Sequence, residues 1–317
     1  MTRSRRTALV TGGRGFLGSR CLPLLVRREF EVIAVTSTGN PDDMPGVKWR
    51  SCNLLDPIAC AALIDQVRPS HLLHAGWVTK PNEYWTSPEN LDWLNAGVRL
   101  VADFYAQGGQ RAVGLGSCAE YAIDDSACTE DLTPIDPATV YGKAKAAMHF
   151  ALQAAAQGRG SYAWGRLFFP YGLGEPLQRF IPSVILGLLR GEPIPCTQGT
   201  QVRDFVFVTD AAAACVALLD AETSGAYNIA SGSGVSLREV AELIVRRLGH
   251  AELLEYGSRK APEFDPPRIV ANIAKISRDT DWRPSVTLEE GLAQYIADLQ
   301  GGPPDGAVQN ARFLSSR

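Results

Sequence analysis

Short, nearly unbroken apolar runs alternate with longer stretches whose apolar positions recur at helical spacing, and this alternation organises the first half of the chain. Ala8-Leu9-Val10-Thr11, Glu31 to Thr36, Val47 to Cys52, His71 to Ala75, Arg111 to Gly116 and Tyr162 to Phe168 read as strands. The intervening helices are predicted over Phe16 to Arg28, Asp56 to Val67, Ser87 to Gln107 and Asp136 to Gln157. Asp56-Pro57, Ser87-Pro88 and Asp136-Pro137 each place a capping side chain ahead of a proline that tolerates the first helical turn. Strands alternating with helices predict an α/β fold built on a doubly wound parallel sheet. Beyond Phe168 the rhythm breaks, with Pro170, Pro176, Pro182, Pro193 and Pro195 interrupting shorter elements. Asp204 to Val208 and Tyr227 to Ala230 read as strands around a helix from Asp210 to Asp220, and the capping boxes Ser236/Glu239 and Thr287/Glu290 start the last clear helices. The predicted division is a first domain over 1–168 to which 205–232 returns, and a smaller interleaved C-terminal domain over 169–204 and 233–300. Residues 301–317, opening Gly-Gly-Pro-Pro-Asp-Gly, read as a mobile tail.

Composition narrows the class. With 317 residues, 45% hydrophobic and 21% charged, the chain is long enough for a large core. A net charge of -3, with no basic run beyond Arg3, Arg5 and Arg6, argues against nucleic-acid or membrane surfaces and for small-molecule partners. No run approaches the ~18 apolar residues of a membrane span, and the N-terminus enters a strand without an apolar signal segment, so a cytoplasmic location is expected. The 7 cysteines are scattered without a C-x-x-C pair, and the 4 histidines lack ligand spacing, so neither disulfides nor a metal site are expected.

Candidate chemistry begins at Thr11-Gly12-Gly13-Arg14-Gly15-Phe16-Leu17-Gly18, where a strand runs into a glycine loop ahead of a helix. Gly12, Gly15 and Gly18 allow a tight turn, close approach of backbone to a pyrophosphate, and close helix packing, with the helix N-terminus facing the anion. Taken alone, the pattern also suits an ordinary strand-to-helix turn. Tyr141 and Lys145, four apart on one predicted helix face, can do acid-base work if the ammonium lowers the phenol's pKa of ~10; such a spacing also describes surface pairs. Ser117 follows the fifth apolar strand, where ligands of open parallel sheets bind, and is either a hydrogen-bonding group for a reacting oxygen or a turn serine.

Thr11 to Gly18, Ser117-Cys118-Ala119-Glu120-Tyr121, Tyr141-Gly142-Lys143-Ala144-Lys145 and Arg203 to Asp210 occur in one order, and over about residues 7–300 the sequence resembles the extended short-chain dehydrogenase/reductases, the NAD-dependent epimerase/dehydratase family acting on nucleotide sugars. The resemblance implies a Rossmann-type sheet carrying the dinucleotide, a C-terminal substrate domain, and a catalytic set of Ser117, Tyr141 and Lys145. It implies a cofactor site of Gly12, Arg14, Gly15, Phe16, Leu17, Gly18, Thr36, Asn53, Leu54 and Ala75, completed by Tyr141 and Lys145. For the nucleotide-diphosphate sugar it points to Arg203 and Arg268, whose guanidinium forks suit phosphate but also form structural ion pairs. Trp77, Glu120 and Phe169 join this set as pocket candidates: Trp77 as a wall or as packing, Glu120 as a pocket or a solvated loop residue, and Phe169 in place of an asparagine that relatives usually carry. A homodimer through helices near 88–107 and 138–157 is also implied.

Departures from the family pattern narrow the reaction. Relatives that dehydrate place Asp-Glu after the catalytic hydroxyl residue, where this chain has Cys118 and Ala119. The second strand ends in Thr36-Ser37-Thr38 rather than in an acid for the ribose 2'-hydroxyl, and Arg14 can reach a 2'-phosphate, so NADP(H) is favoured over NAD(H). These features predict reduction of a nucleotide-activated 4-keto-6-deoxyhexose; the alternatives are a nucleotide-sugar epimerase with retained NAD and a non-catalytic dinucleotide-sensing scaffold.

Overall fold

The computed structural model describes residues 6–37, 44–78, 83–124, 126–261 and 265–301. Thr38 and all but the first residue of the tail predicted over 301–317 lie outside the described residues. The first half runs β1 (Thr7–Thr11), α1 (Gly18–Arg27), β2 (Glu31–Thr36), β3 (Val47–Ser51), α2 (Pro57–Val67), β4 (His71–His74), α3 (Glu89–Ala106), β5 (Arg111–Ser117), α4 (Val140–Ala156) and β6 (Ser161–Leu167). The second comprises β7 (Phe169–Tyr171), α5 (Phe180–Arg190), β8 (Ile194–Cys196), β9 (Val202–Arg203), β10 (Phe205–Phe207), α6 (Val208–Asp220), β11 (Gly225–Ile229), β12 (Val235–Ser236), α7 (Leu237–Leu248), β13 (Leu254–Tyr256), β14 (Arg268–Ile269), α8 (Ala274–Asp279) and α9 (Leu288–Gln300).

Seven strands form one sheet in the order β11-β6-β5-β4-β1-β2-β3, with every pairing parallel. Alternate residues serve opposite faces. Ala8 and Val10 of β1 pack with Cys21, Leu22 and Leu25 of α1 and with α6, whereas Leu9 packs with Ile64 of α2, Phe104 of α3 and Met148 of α4. Helices on both faces make this a Rossmann-type doubly wound sheet. The order reverses between β1 and β4, and the cleft described below opens at the carboxyl ends of those strands.

Local chemistry explains the element ends. Asp56 caps α2 by accepting from the Ile58 and Ala59 amides at 2.9 and 3.2 Å. The helix predicted from Asp136-Pro137 begins instead at Val140, because Thr139 is the residue whose hydroxyl accepts from a first-turn amide, that of Gly142 at 3.0 Å. The strand predicted over Asp204 to Val208 is shortened to Phe205–Phe207, which pairs with β7, since Val208 starts α6 and Asp204 separates the strand from β9. Asp204, fully buried, makes the break by accepting from Ser231 N and Oγ at 2.8 and 2.6 Å, Gly232 N at 3.0 Å and Ala271 N at 3.1 Å. That knot fixes the neighbouring Arg203. A separate apolar cluster joins α5, α7 and α9, with Ile185, Ile244 and Tyr295 fully buried in it.

Candidate active site

Two glycines of the loop between β1 and α1 cannot be replaced without displacing backbone. Gly12 adopts φ +68°, and a Cβ there would lie 2.8 Å from the Ala75 carbonyl; a Cβ on Gly18 would lie 2.2 Å from the Gly12 oxygen. The turn closes with Gly15 N donating to Gly12 O at 2.8 Å. Thr11 ties the ends of β1 and β4 together, its hydroxyl meeting His74 Nδ1 at 2.8 Å and accepting from Gly76 N at 3.1 Å. The result is a concave strip of backbone beside the N-terminus of α1, a shape that suits a pyrophosphate.

This strip lines a cleft of about 1020 Å³. All the residues assigned to the cofactor face it: Gly12, Arg14, Gly15, Phe16, Leu17 and Gly18 from the loop, Thr36 at the end of β2, Asn53 and Leu54 after β3, and Ala75 after β4. Close-approach glycines, a guanidinium, hydroxyl and amide groups and apolar walls in one elongated cleft fit a dinucleotide.

Ser117, Tyr141 and Lys145 line the same cleft. Ser117 is the last residue of β5; its Oγ accepts from Ala119 N at 3.2 Å, and the Glu120 carboxylate accepts from Ser117 N at 2.8 Å, closing a turn over Cys118 to Glu120. Tyr141 and Lys145 stand one turn apart on α4. Lys145 is buried, donates to Leu115 O at 2.9 Å, and lies 3.8 Å from the Trp77 ring centroid but 5.8 Å from that of Tyr141. Burial lowers its pKa to about 7, against the opposing pull of Glu120.

The expectation that the ammonium lowers the Tyr141 pKa is corrected by this arrangement. Burial, reinforced by Tyr84, pushes the phenol above its ordinary range, while a hydrogen bond with Ser117 works the other way. The ammonium is instead packed against Trp77. Tyr141 therefore carries its proton at neutral pH.

Of the residues assigned to substrate, Trp77, Phe169 and Arg203 line the cleft and Glu120 and Arg268 do not. Glu120 is fully buried and faces inward, bonded to Trp164 Nε1 at 3.0 Å and Arg166 Nε at 2.9 Å. The short turn after Ser117 directs it under the sheet's end rather than into the pocket. Arg268 belongs to β14 and pairs alongside Val202 of β9. Arg203 is ion-paired with Asp265, which also accepts from Gln201 Nε2 at 3.0 Å. Asp265, Glu175 and Arg179 line the cleft as well, though no sequence motif marks them. They lie in irregular loops; nearby Pro176, Pro266 and Pro267 mark turns but carry no signal of chemistry.

The profile of the NAD dependent epimerase/dehydratase family matches residues 8–230. The chain belongs to that family and is an enzyme of the nicotinamide-dependent class it defines. More particularly, it is 27% identical over 307 residues to a UDP-glucose 4-epimerase of Corynebacterium glutamicum, spanning 88% of this chain and 91% of that one. It is 22% identical over 320 residues to the dTDP-4-dehydro-6-deoxyglucose reductase of Escherichia coli, with 95% and 99% covered. Among solved structures, MoeE5 in complex with UDP-glucuronic acid and NAD is similar at 28% identity and a TM-score of 0.82, covering 93% and 99% of the two chains. Among the described residues, no helix is long and apolar enough to cross a membrane.

Proposed function

We propose that this chain reduces a nucleoside-diphosphate-activated 4-keto-6-deoxyhexose, with Tyr141 delivering the proton to the sugar oxygen. The observation that carries the reading is the placement of Ser117, Tyr141 and Lys145 in the cleft of the glycine loop, without an uncommitted carboxylate among the described lining residues. Glu175 is held by Gly172 N at 3.1 Å and by Arg179 at 3.7 Å, and Asp265 is held by Arg203 and Gln201. Cys118 and Ala119 occupy the positions at which a dehydrating relative would offer acids.

When bound, the dinucleotide supplies hydride from nicotinamide C4. The chain's own part is to position and protonate. Ser117 Oγ orients the carbonyl oxygen, Tyr141 holds the proton that the nascent alkoxide takes, and Lys145 keeps a cation beside the cofactor ribose. Arg203 meets the substrate diphosphate. NADP(H) is favoured because β2 ends at Thr36, followed by Ser37, without an acid, and Arg14 lines the same cleft.

With purified enzyme, absorbance at the nicotinamide band is expected to fall when NADPH is mixed with a 4-keto-6-deoxyhexose nucleotide, and Arg14→Ala should erode the preference over NADH. No loss with any of a panel of 4-keto sugars overturns the reading. The 27% identity to a UDP-glucose 4-epimerase favours a second reading, epimerisation. Tightly retained NAD in the purified protein, with interconversion of UDP-glucose and UDP-galactose, would establish that instead. A homodimer through α3 and α4 is part of the same proposal: Leu91 and Phe150 expose 58% and 56% of their surface on these helices. Light scattering should return about twice the 34.2 kDa chain mass, and a monomer refutes the dimer.

A further inference from the structure

Asn90, near the start of α3, is fully buried. Its Oδ1 accepts from Trp77 Nε1 at 2.9 Å, while its Nδ2 donates to the carbonyls of Tyr84 and Ser87 at 2.7 and 2.8 Å. Each of the aromatic residues so held reaches the Tyr141–Lys145 pair. Trp77 carries the Lys145 ammonium on its face. Tyr84 and Trp85 meet the Tyr141 ring edge-on, with centroids 4.9 and 5.6 Å away, and the Trp85 carbonyl accepts from Tyr141 N at 3.2 Å. One buried amide thus fixes the aromatic neighbours of both residues.

We propose that Tyr84 and Trp85, positioned by Asn90, form a wall that selects a sugar whose C6 is a methyl group over one bearing a C6 hydroxyl. The inference rests on the reading that Tyr141 protonates the oxygen at C4. C6 is attached to C5, the direct neighbour of C4, so the surface packed around Tyr141 is also the surface that C6 meets. Trp85 presents an indole there and remains 39% exposed, available to a ligand. Among the described residues, the Ser117 hydroxyl is assigned to the C4 oxygen, Thr139 Oγ1 accepts from Gly142 N at the start of α4, and the Tyr84 hydroxyl lies beside the Arg179 guanidinium, so the face that Trp85 and the Tyr84 ring turn to C6 is ring carbon. A C6 hydroxyl would leave water for an aromatic surface that itself returns no equivalent hydrogen bond, whereas a methyl group gains contact at no such cost. Asn90 is a positioning residue in this scheme, since it acts through Trp77 and Tyr84.

The test compares nucleoside diphosphate 6-deoxygalactose with the corresponding galactose compound. Affinity is read by calorimetry, and turnover by oxidation of each sugar with NADP⁺ or NAD⁺. The wild-type chain should favour the 6-deoxy compound roughly 10- to 100-fold, the range within which an apolar pocket rejects an added hydroxyl. Trp85→Ala, at an exposed position, should bring the affinity ratio close to one. Asn90→Ala should do the same and also lower kcat; if it fails to fold, Asn90→Asp retains the acceptor for Trp77 while losing both donors. Equal affinities in the wild type, tighter binding of the hydroxyl compound, or a ratio that survives Trp85→Ala overturns the wall. A preserved affinity ratio without turnover of either sugar would sink the reductase reading and leave the wall standing.

Discussion

Tyr141→Phe is expected to lower kcat roughly 100- to 10,000-fold, the usual contribution of a positioned general acid or base, while dissociation constants for dinucleotide and nucleotide sugar stay within about threefold. The variant keeps the ring that Tyr84 and Trp85 pack against, at 4.9 and 5.6 Å, so the wall of the pocket is preserved. Only the hydroxyl, which lies beside Ser117, is lost. An equal fall in affinity would mean that Tyr141 is a structural member of the pocket; an unchanged kcat would remove it from the chemistry. The wild-type pH profile carries a second sign. Burial has lowered the Lys145 pKa to about 7, so its ammonium is present below that pH and is lost as pH rises through it. The kcat/KM of the free enzyme should therefore decline above about pH 7 for want of this cation. Tyr141→Phe should keep that limb at its lower rate, because the limb belongs to Lys145.

The sheet was legible because its strands announce themselves: Leu9, Leu72 and Leu73 are buried in short, largely apolar runs, and glycine and proline punctuate the turns. The glycine loop and the Tyr141–Lys145 pair were legible because their geometry is local. A loop and a helical turn hold their own residues together whatever the rest of the chain does. What could not be read depends on contacts distant in sequence. Asp204 interrupts a strand-like run because its partners Ser231, Gly232 and Ala271 arrive from later loops. Glu120 adjoins the Ser117 stretch and so invites a place in the pocket, yet its orientation is set by Trp164 and Arg166 on β6. The raised Tyr141 pKa follows the same logic: sequence spacing places Lys145 one turn away, but Trp77 decides where the ammonium rests. Arg268, in a two-residue strand against β9, shows that an arginine near the right motif need not reach the cleft.

Removing the Glu120 carboxylate should produce the largest loss of stability of any single change around the site. Glu120 and Arg166 are almost completely buried, with side-chain exposures of 0% and 2%. Burial alone would depress the Arg166 pKa, but Glu120 and Tyr121 beside it hold it above its ordinary value, which makes the guanidinium a permanent buried cation. Its remaining donors meet the Tyr121 hydroxyl at 2.9 Å and His149 Nδ1 at 3.4 Å, neither of which carries compensating negative charge at neutral pH. Glu120→Ala would therefore strand a charge and, with it, the Ser117 amide and the Trp164 indole N–H. A buried pair broken on one side typically costs about 3–5 kcal/mol, and denaturant unfolding should show that loss. Glu120→Gln, which can still accept from one donor, should fall between. The double change Glu120→Leu with Arg166→Met removes both charges and should recover much of the stability, since apolar replacements of buried pairs are often neutral or better. It should not recover activity, because Ser117 N would still lack the carboxylate that shapes its turn. Stability of Glu120→Ala within about 0.5 kcal/mol of the wild type, the range of an ordinary surface substitution, would contradict the role assigned to the pair. Activity restored along with stability in the double variant would show that the Ser117 turn does not depend on Glu120.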